Sequence, residues 1–287
     1  MLDHAVNITG AGLPPGDWQQ RVQAVFRGCF RQLAEGLTGV APEAQALNFS
    51  LIKETRGSIS LQMILGSAEG FLKLFDGPGG AEGYKREKAV LLALAGQGLV
   101  PEMISFSDEM RFVMTEWQER PFEPGADPEQ TARRIGAWTA RYDAAAPARG
   151  LQGNWYTYGQ QIGLGQALQS IPRAREQLSA VPLCGEVLSH NDAAMHNFLE
   201  GADGRLLGCD FEKARFKPRG WDYLKAHWSL LERFPDKAPK VLKALERGFE
   251  MSHRGMLQAK ELSVVARVLF CAQAVTAANR KETGSWQ

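Results

Sequence analysis

Two carboxylates and an amide in one stretch of the chain have the types and spacing to do chemistry. In Ser189-His190-Asn191-Asp192-Ala193-Ala194-Met195-His196-Asn197, Asp192 stands five residues before Asn197, and Asp210, eighteen residues beyond Asp192, closes the short apolar run Leu206 to Cys209. That pattern suits phosphoryl transfer, in which one carboxylate orients the attacking hydroxyl and takes its proton while a divalent cation bridges the phosphate oxygens. Asp192 fits the first task. Mg2+ accepts hard oxygen donors, often only one or two of them from protein, so Asn197 and Asp210 are the candidate metal ligands. A different chemistry uses the same residues: His190, Asp192, His196 and Asp210 could hold Zn2+ or Fe in a hydrolase. That alternative needs a further nitrogen or thiolate ligand, and His4, His227 and His253 form no motif with them.

The order His-x-Asp-x4-Asn followed by Asp210-Phe211-Glu212 resembles the aminoglycoside phosphotransferase and choline kinase-like family of the protein-kinase-like superfamily. Glu212 stands where protein kinases carry Gly, which favours the small-molecule branch. The resemblance spans residues 46 to 228 or so. It implies an α+β, bilobal protein-kinase-like fold, with an N-terminal antiparallel sheet plus helix over residues 1–118 and a mostly helical lobe over 119–287. It also implies ATP and Mg2+ as cofactors and transfer of the γ-phosphoryl group to a hydroxyl of a small metabolite, sugar or antibiotic. Two neighbouring readings stay open: a kinase of glycolipid or lipopolysaccharide sugars, and a nucleotide-binding module without turnover. His190 is expected to support Asp192 and not to carry protons.

These residues need elements to position them. Partial apolar alternation over 47–52, 59–65 and 69–75, with Arg56-Gly57-Ser58 as turn chemistry, predicts three short antiparallel strands. Lys73 is flanked by apolar residues in the third strand and requires a partner. The helix-forming segment 81–96 supplies Glu87, fourteen residues on, and Glu82 competes for the same pair. In protein kinases such a Lys holds the α- and β-phosphates and such a Glu orients it. No Gly-x-Gly-x-x-Gly lies between the first two strands, so Ser58 is the candidate phosphate contact. Residues 110–117 read as a further strand. By resemblance, Glu116 and Gln118 bracket the main-chain contact to the adenine edge.

Ahead of the sheet, residues 1–16 look irregular, and Val22, Val25, Phe26, Phe30, Leu33 and Leu37 predict an added packing helix over 17–38. Beyond Pro128 the pattern is helical. Tyr142-Asp143 replaces the Leu-His that usually ends the corresponding family helix, and Trp155, Tyr156 and Tyr158 either line an acceptor pocket or pack. Asp222 reads equally as a helix cap and as a support for the catalytic loop.

Charged residues are 23% of the chain and the net charge is +1, so no global field recruits nucleic acid or an anionic membrane. Eight basic against four acidic residues between Arg233 and Arg267 disfavour a polycationic acceptor and tilt toward a neutral or anionic one. No basic and apolar leader is visible and no uninterrupted apolar run is long enough for a bilayer, so no transmembrane segment is expected. Cys29, Cys184, Cys209 and Cys271 form no Cys-x-x-Cys pair. Each is expected as a small buried residue in a reducing cytoplasm. The acceptor is a small hydroxyl-bearing molecule on this reading, and the sequence leaves the oligomeric state open.

Overall fold

The computed structural model describes residues 6–9, 17–39, 47–118, 120–122, 127–252 and 257–282. The chain forms two compact units, Met1–Pro121 with Leu199–Lys213, and Phe122–Phe198 with Ala214–Gln287.

The first unit is built on a six-stranded sheet. Its strands are β1 (Val6–Thr9), β2 (Leu47–Glu54), β3 (Ser58–Leu65), β4 (Ala68–Phe75), β5 (Met103–Ser107) and β6 (Phe112–Glu116), in the order β1-β2-β3-β4-β6-β5. β1 corrects the expectation of an irregular start: it pairs in parallel with β2, Val6 opposite Leu47. Four residues carry too little pattern of their own to announce a strand, and it is the neighbouring β2 that defines this one.

Side chains alternate across a strand, and this decides what each face of the sheet does. Leu72 and Leu74 of β4 join Leu61 and Met63 of β3 in a core closed by Val22, Leu33 and Ala34 of α1 (Asp17–Thr38). Each buried Val, Leu or Met side chain of this core contributes about 1.5–3 kcal/mol. Lys73 alternates with these leucines and so faces away from α1, toward α2 (Gly80–Ala93). α2 ends three residues before the predicted limit, and Gly96 and Gly98 follow it with positive φ, 71° and 60°. After β6 the chain passes through β7 (Arg120–Pro121).

In the second unit α3 (Pro128–Ala145) begins on Asp127, whose carboxylate accepts the N–H groups of Glu129 and Gln130, with Pro128 in the first turn where no donor is needed. There follow β8 (Ala148–Arg149), the short helices α4 (Trp155–Gly159), α5 (Gly165–Ser170) and α6 (Ala174–Ser179), and β9 (Glu186–Ser189). The chain then returns to the first unit. β10 (Phe198–Glu200) lies between β7 and β11 (Leu206–Gly208), and the N–H of Gly208 donates to the carbonyl of Leu99. Leu199–Lys213, expected with the C-terminal lobe from its place in the sequence, therefore groups with the first.

β12 (Arg215–Pro218) re-enters the second unit beside β9, and α7 (Trp221–Arg233), α8 (Ala238–Ser252) and α9 (Ala259–Glu282) complete it. α3 and α8 cross at their backbones: a Cβ on Gly136 would strike the carbonyl oxygen of Leu245, and one on Gly248 that of Arg133. Ala259–Asn279 of α9 is long and apolar enough, by length and composition alone, to cross a membrane. Here Leu262, Val265, Ala266, Leu269 and Ala272 are fully buried in the unit, as in a core helix. The cysteines depart from expectation. All four are free thiols, Cys271 is exposed and the other three are partly buried.

Candidate functional site

Lys73 is 4% exposed, and a buried ammonium needs compensation. It has three carboxylates. Nζ lies 2.8 Å from Glu87 Oε2, 2.6 Å from Asp210 Oδ1 and 3.5 Å from Glu212 Oε2. Burial by itself would lower the lysine's pKa, but Glu87, Asp210 and Glu212 together raise it above the ordinary value and keep it charged. Burial pushes the Glu87 carboxyl up, opposed by the Lys73 ammonium. Of the two acids in competition, Glu87 makes the pair, while Glu82 pairs with Lys85 on the exposed surface. α2 comes close to the turn over 211–213 because Gly83 lacks a side chain: a Cβ there would sit 3.3 Å from Cβ of Glu212.

Asp210 has a left-handed φ of 65°, which turns the chain out of β11. Its second oxygen lies 3.9 Å from Lys53 Nζ, and its side chain is 29% exposed. A partly exposed carboxylate of hard oxygens is a donor that Mg2+ accepts. Burial, then Asp210 and Glu87, push the neighbouring Cys209 thiol up to about 12, which leaves it unreactive.

Ser58 is buried at the start of β3. Its N–H donates to Thr55 Oγ1 at 3.0 Å, and its hydroxyl reaches Glu212 Oε2 at 3.4 Å. The turn therefore leans on the lysine cluster. Glu116 ends β6, where its N–H donates to the carbonyl of Glu102 and its own carbonyl accepts from Thr115 Oγ1. Gln118 follows it, half-buried.

In the second unit, β9 leads into the loop that carries Asp192. Asp222, the second residue of α7, accepts from Ser189 Oγ at 2.8 Å, His190 N–H at 2.9 Å and Asn191 N–H at 2.9 Å. The helix itself starts from Gly220, so Asp222 acts as a strut under the loop and not as a cap. Burial pushes its pKa up, with His190 and the three donors working against that. His190 is fully buried, and its imidazole lies edge-on to Trp138, 6.1 Å between centroids. Asn191 has φ 63°, a left-handed conformation that Asn tolerates, and its Oδ1 accepts from the indole N–H of Trp221 at 3.0 Å. Asn197 donates its amide Nδ2 to the carbonyl of Asp192 at 2.8 Å, which fixes the direction of the remaining amide oxygen. Met195 N–H donates to Ser229 Oγ, tying the far end of the loop to α7.

The structure thus joins Lys73, Glu87, Asp210 and Ser58 in one unit, and His190, Asp192 and Asn197 in the other. Sequence reasoning missed two participants. Glu212 entered only as a departure from Asp-Phe-Gly, yet it is the third carboxylate on Lys73. Asp143 entered only as a departure from Leu-His, yet its buried carboxylate takes Arg219 Nη1 at 2.9 Å and Gly220 N–H at 2.8 Å, anchoring the start of α7. A buried acid beside an aromatic on a helix's apolar side was the available signal. Among the described residues no three His, Cys, Asp or Glu side chains gather as a metal site.

No family model matches the chain, and no curated protein matches it. Solved structures do. A choline/ethanolamine kinase family protein from Mesorhizobium loti is similar at 13% identity with a TM-score of 0.58, covering 93% of this chain and 87% of that one. Macrolide 2'-phosphotransferase MphH from Brachybacterium faecium is similar at 16% identity and 0.55, covering 91% and 94%. The choline kinase LicA from Streptococcus pneumoniae is similar at 15% and 0.53, covering 91% and 93%. The chain has the kinase-like fold. At these identities the similarity establishes the α+β architecture along nearly the whole chain.

Proposed function

We propose that the protein transfers the γ-phosphoryl group of ATP to a hydroxyl of a small molecule. The observation that carries this is Lys73, buried and held between Glu87 and Asp210 at 2.8 and 2.6 Å. A lysine so fixed is a cation prepared for phosphate oxygens. The similar structures are a choline/ethanolamine kinase family protein, a choline kinase and a macrolide phosphotransferase, and a LicA structure in complex with AMP is also similar.

The roles divide as follows. Asp192 orients the acceptor hydroxyl and takes its proton. His190 and Asp222 position the loop that bears it. Lys73 binds phosphate oxygens and Glu87 orients Lys73. Asn197 and Asp210 are the oxygen donors for Mg2+, which when bound neutralises phosphate charge. Ser58, at the end of its turn, contacts phosphate, and the main chain from Glu116 to Gln118 meets the adenine edge.

The test is an ATP-consumption screen over hydroxyl-bearing metabolites, run beside Asp192→Ala. The variant should lose at least about 10²-fold in kcat, the usual worth of a positioned base. Equal turnover by Asp192→Ala overturns the assignment of the base. Thermal stabilisation by nucleotide with no turnover of any acceptor supports a binding module instead.

A further inference from the structure

The loop bearing Asp192 is bordered by aromatic rings that already hold a cation. Trp155 and Trp221 stack at 6.4 Å with 10° between their planes, Tyr158 meets both edge-on, and Trp228 lies edge-on to Trp221 at 6.0 Å. Lys217 Nζ sits 4.9 Å from the centre of the Trp221 ring and donates to the Tyr158 hydroxyl at 3.1 Å. Lys225 lies 5.2 Å over Trp228. Because the Trp221 indole N–H also holds Asn191, this cluster is one ring away from the residue that precedes Asp192.

The strand register shows what Lys217 lacks. β12 pairs with β9 so that Arg215 is opposite Ser189 and Lys217 opposite Val187, and residues directly opposite share a face. Arg215 and Lys217 thus share the face from which Ser189 reaches Asp222. Glu186 belongs to the other face, with Phe216. There Arg149 takes it at 2.6 Å and lies 4.1 Å over the Phe216 ring. Among the described residues no acid stands within ion-pair distance of Lys217. Burial, then Arg215 and Lys225, hold its pKa below the ordinary value against the opposing field of Glu186. Trp155 Nε1, buried in the same cluster, has no hydrogen-bond partner among the described residues. The group offers cations and donors without a matching anion.

We infer that Lys217, over the Trp221 and Tyr158 rings, together with Lys225 over Trp228 and Arg215 on the same face of β12, forms the acceptor subsite and receives a carboxylate or phosphate group carried by the hydroxyl substrate. This rests on the phosphotransfer reading and narrows it to an anionic acceptor. A quaternary or polycationic acceptor is disfavoured, because an ammonium covers the aromatic face that would bind it and two more cations stand beside it.

The test titrates inorganic phosphate, malonate and choline into the full chain at constant ionic strength, read by tryptophan fluorescence, since three tryptophans lie in the cluster. Phosphate or malonate should give a saturable response, and which one binds tighter separates phosphorylated from carboxylated acceptors; choline should give none. Binding should weaken about tenfold or more in Lys217→Gln, as expected for loss of a charge-assisted contact. It should return in Lys217→Arg and persist in Asp192→Asn and with saturating ADP. A response abolished by ADP places the anion on the nucleotide's own residues and overturns the proposal. So do wild-type anion binding by folded Lys217→Gln and Lys225→Gln variants, a saturable choline response, or no anion response at all. Saturable Lys217-dependent binding without turnover of any anionic hydroxyl compound keeps the anion site and removes the phosphotransfer reading.

Discussion

Replacing Lys73 by Met keeps the length of the side chain and deletes its charge. Three carboxylates then face one another, and one of them, Glu87, is only 5% exposed. A unit pair at the 2.8 Å separation of Lys73 and Glu87 attracts by roughly 6 kcal/mol at an effective dielectric of about 20. Much of that offsets the dehydration of both ions. The net loss on removing one partner of a buried pair is about 3–5 kcal/mol, a large part of the stability of an ordinary domain. Glu87→Gln should cost less, because Lys73 keeps Asp210 at 2.6 Å and Glu212 at 3.5 Å. Lys73→Met with Glu87→Gln should recover part of the single-variant loss, since the sealed charge has gone. The assay is urea unfolding of the four proteins by circular dichroism, repeated across pH. Without the lysine, burial and Asp210 still push the Glu87 carboxyl up. A carboxyl raised in the folded state is best tolerated below its unfolded pKa of about 4.3, and stability is lost as pH rises through the folded value. The Lys73→Met deficit should therefore be smallest in acid and largest at neutral pH. Equal unfolding midpoints of wild type and Lys73→Met at pH 7, or a double variant no more stable than Lys73→Met, would refute the reasoning.

Three other perturbations probe the second unit. Asp222→Asn puts an amide N–H against a donor that now has an acceptor. It should cost about 1–3 kcal/mol and lower kcat by as much as about 10²-fold through displacement of Asp192, with KM for nucleotide little changed in steady-state kinetics. His227 is buried and held neutral, its pKa lowered from 6.5 to about 4 by burial and then by Arg267. The unfolded chain therefore binds the proton first as pH falls through that window, and wild-type stability drops there by up to about 3 kcal/mol. His227→Gln should flatten the pH dependence of the urea midpoint between those two values, and an unaltered slope counts against the buried neutral imidazole. Gly248→Ala drives a methyl into the Arg133 carbonyl. It should destabilise by about 3 kcal/mol although Ala is the better helix former, and a melting temperature equal to or above wild type would show that α3 and α8 do not cross as described.

What could be read from the chain alone was local. Apolar alternation marks β2, β3 and β4, and the stripe beginning at Val22 marks α1, because strand and helix periods are properties of the backbone. β1 and β5 escaped: the first owes its existence to pairing with β2, and the second reads only as a continuation after α2. The same limit applies to the site. The types and spacing of Asp192, Asn197 and Asp210 suggest a chemistry without coordinates, since residue type and loop length are written in sequence order. Which partner a buried charge receives is not written there. Lys73 could meet Glu82 or Glu87, and the rotation of α2 over the sheet, fixed by packing and by the close approach at Gly83, selects Glu87. Asp222 could cap a helix or brace a loop, and the position of β9 beside α7 makes it a brace. Lys217 reads as one more surface charge until the β9–β12 register sets it over Trp221 and sends Glu186 to the other face. The sequence by itself determined the periods and the chemical types. Only the tertiary structure decided the pairings, because the energy of a charge depends on how far it is buried and on which distant residues are buried with it.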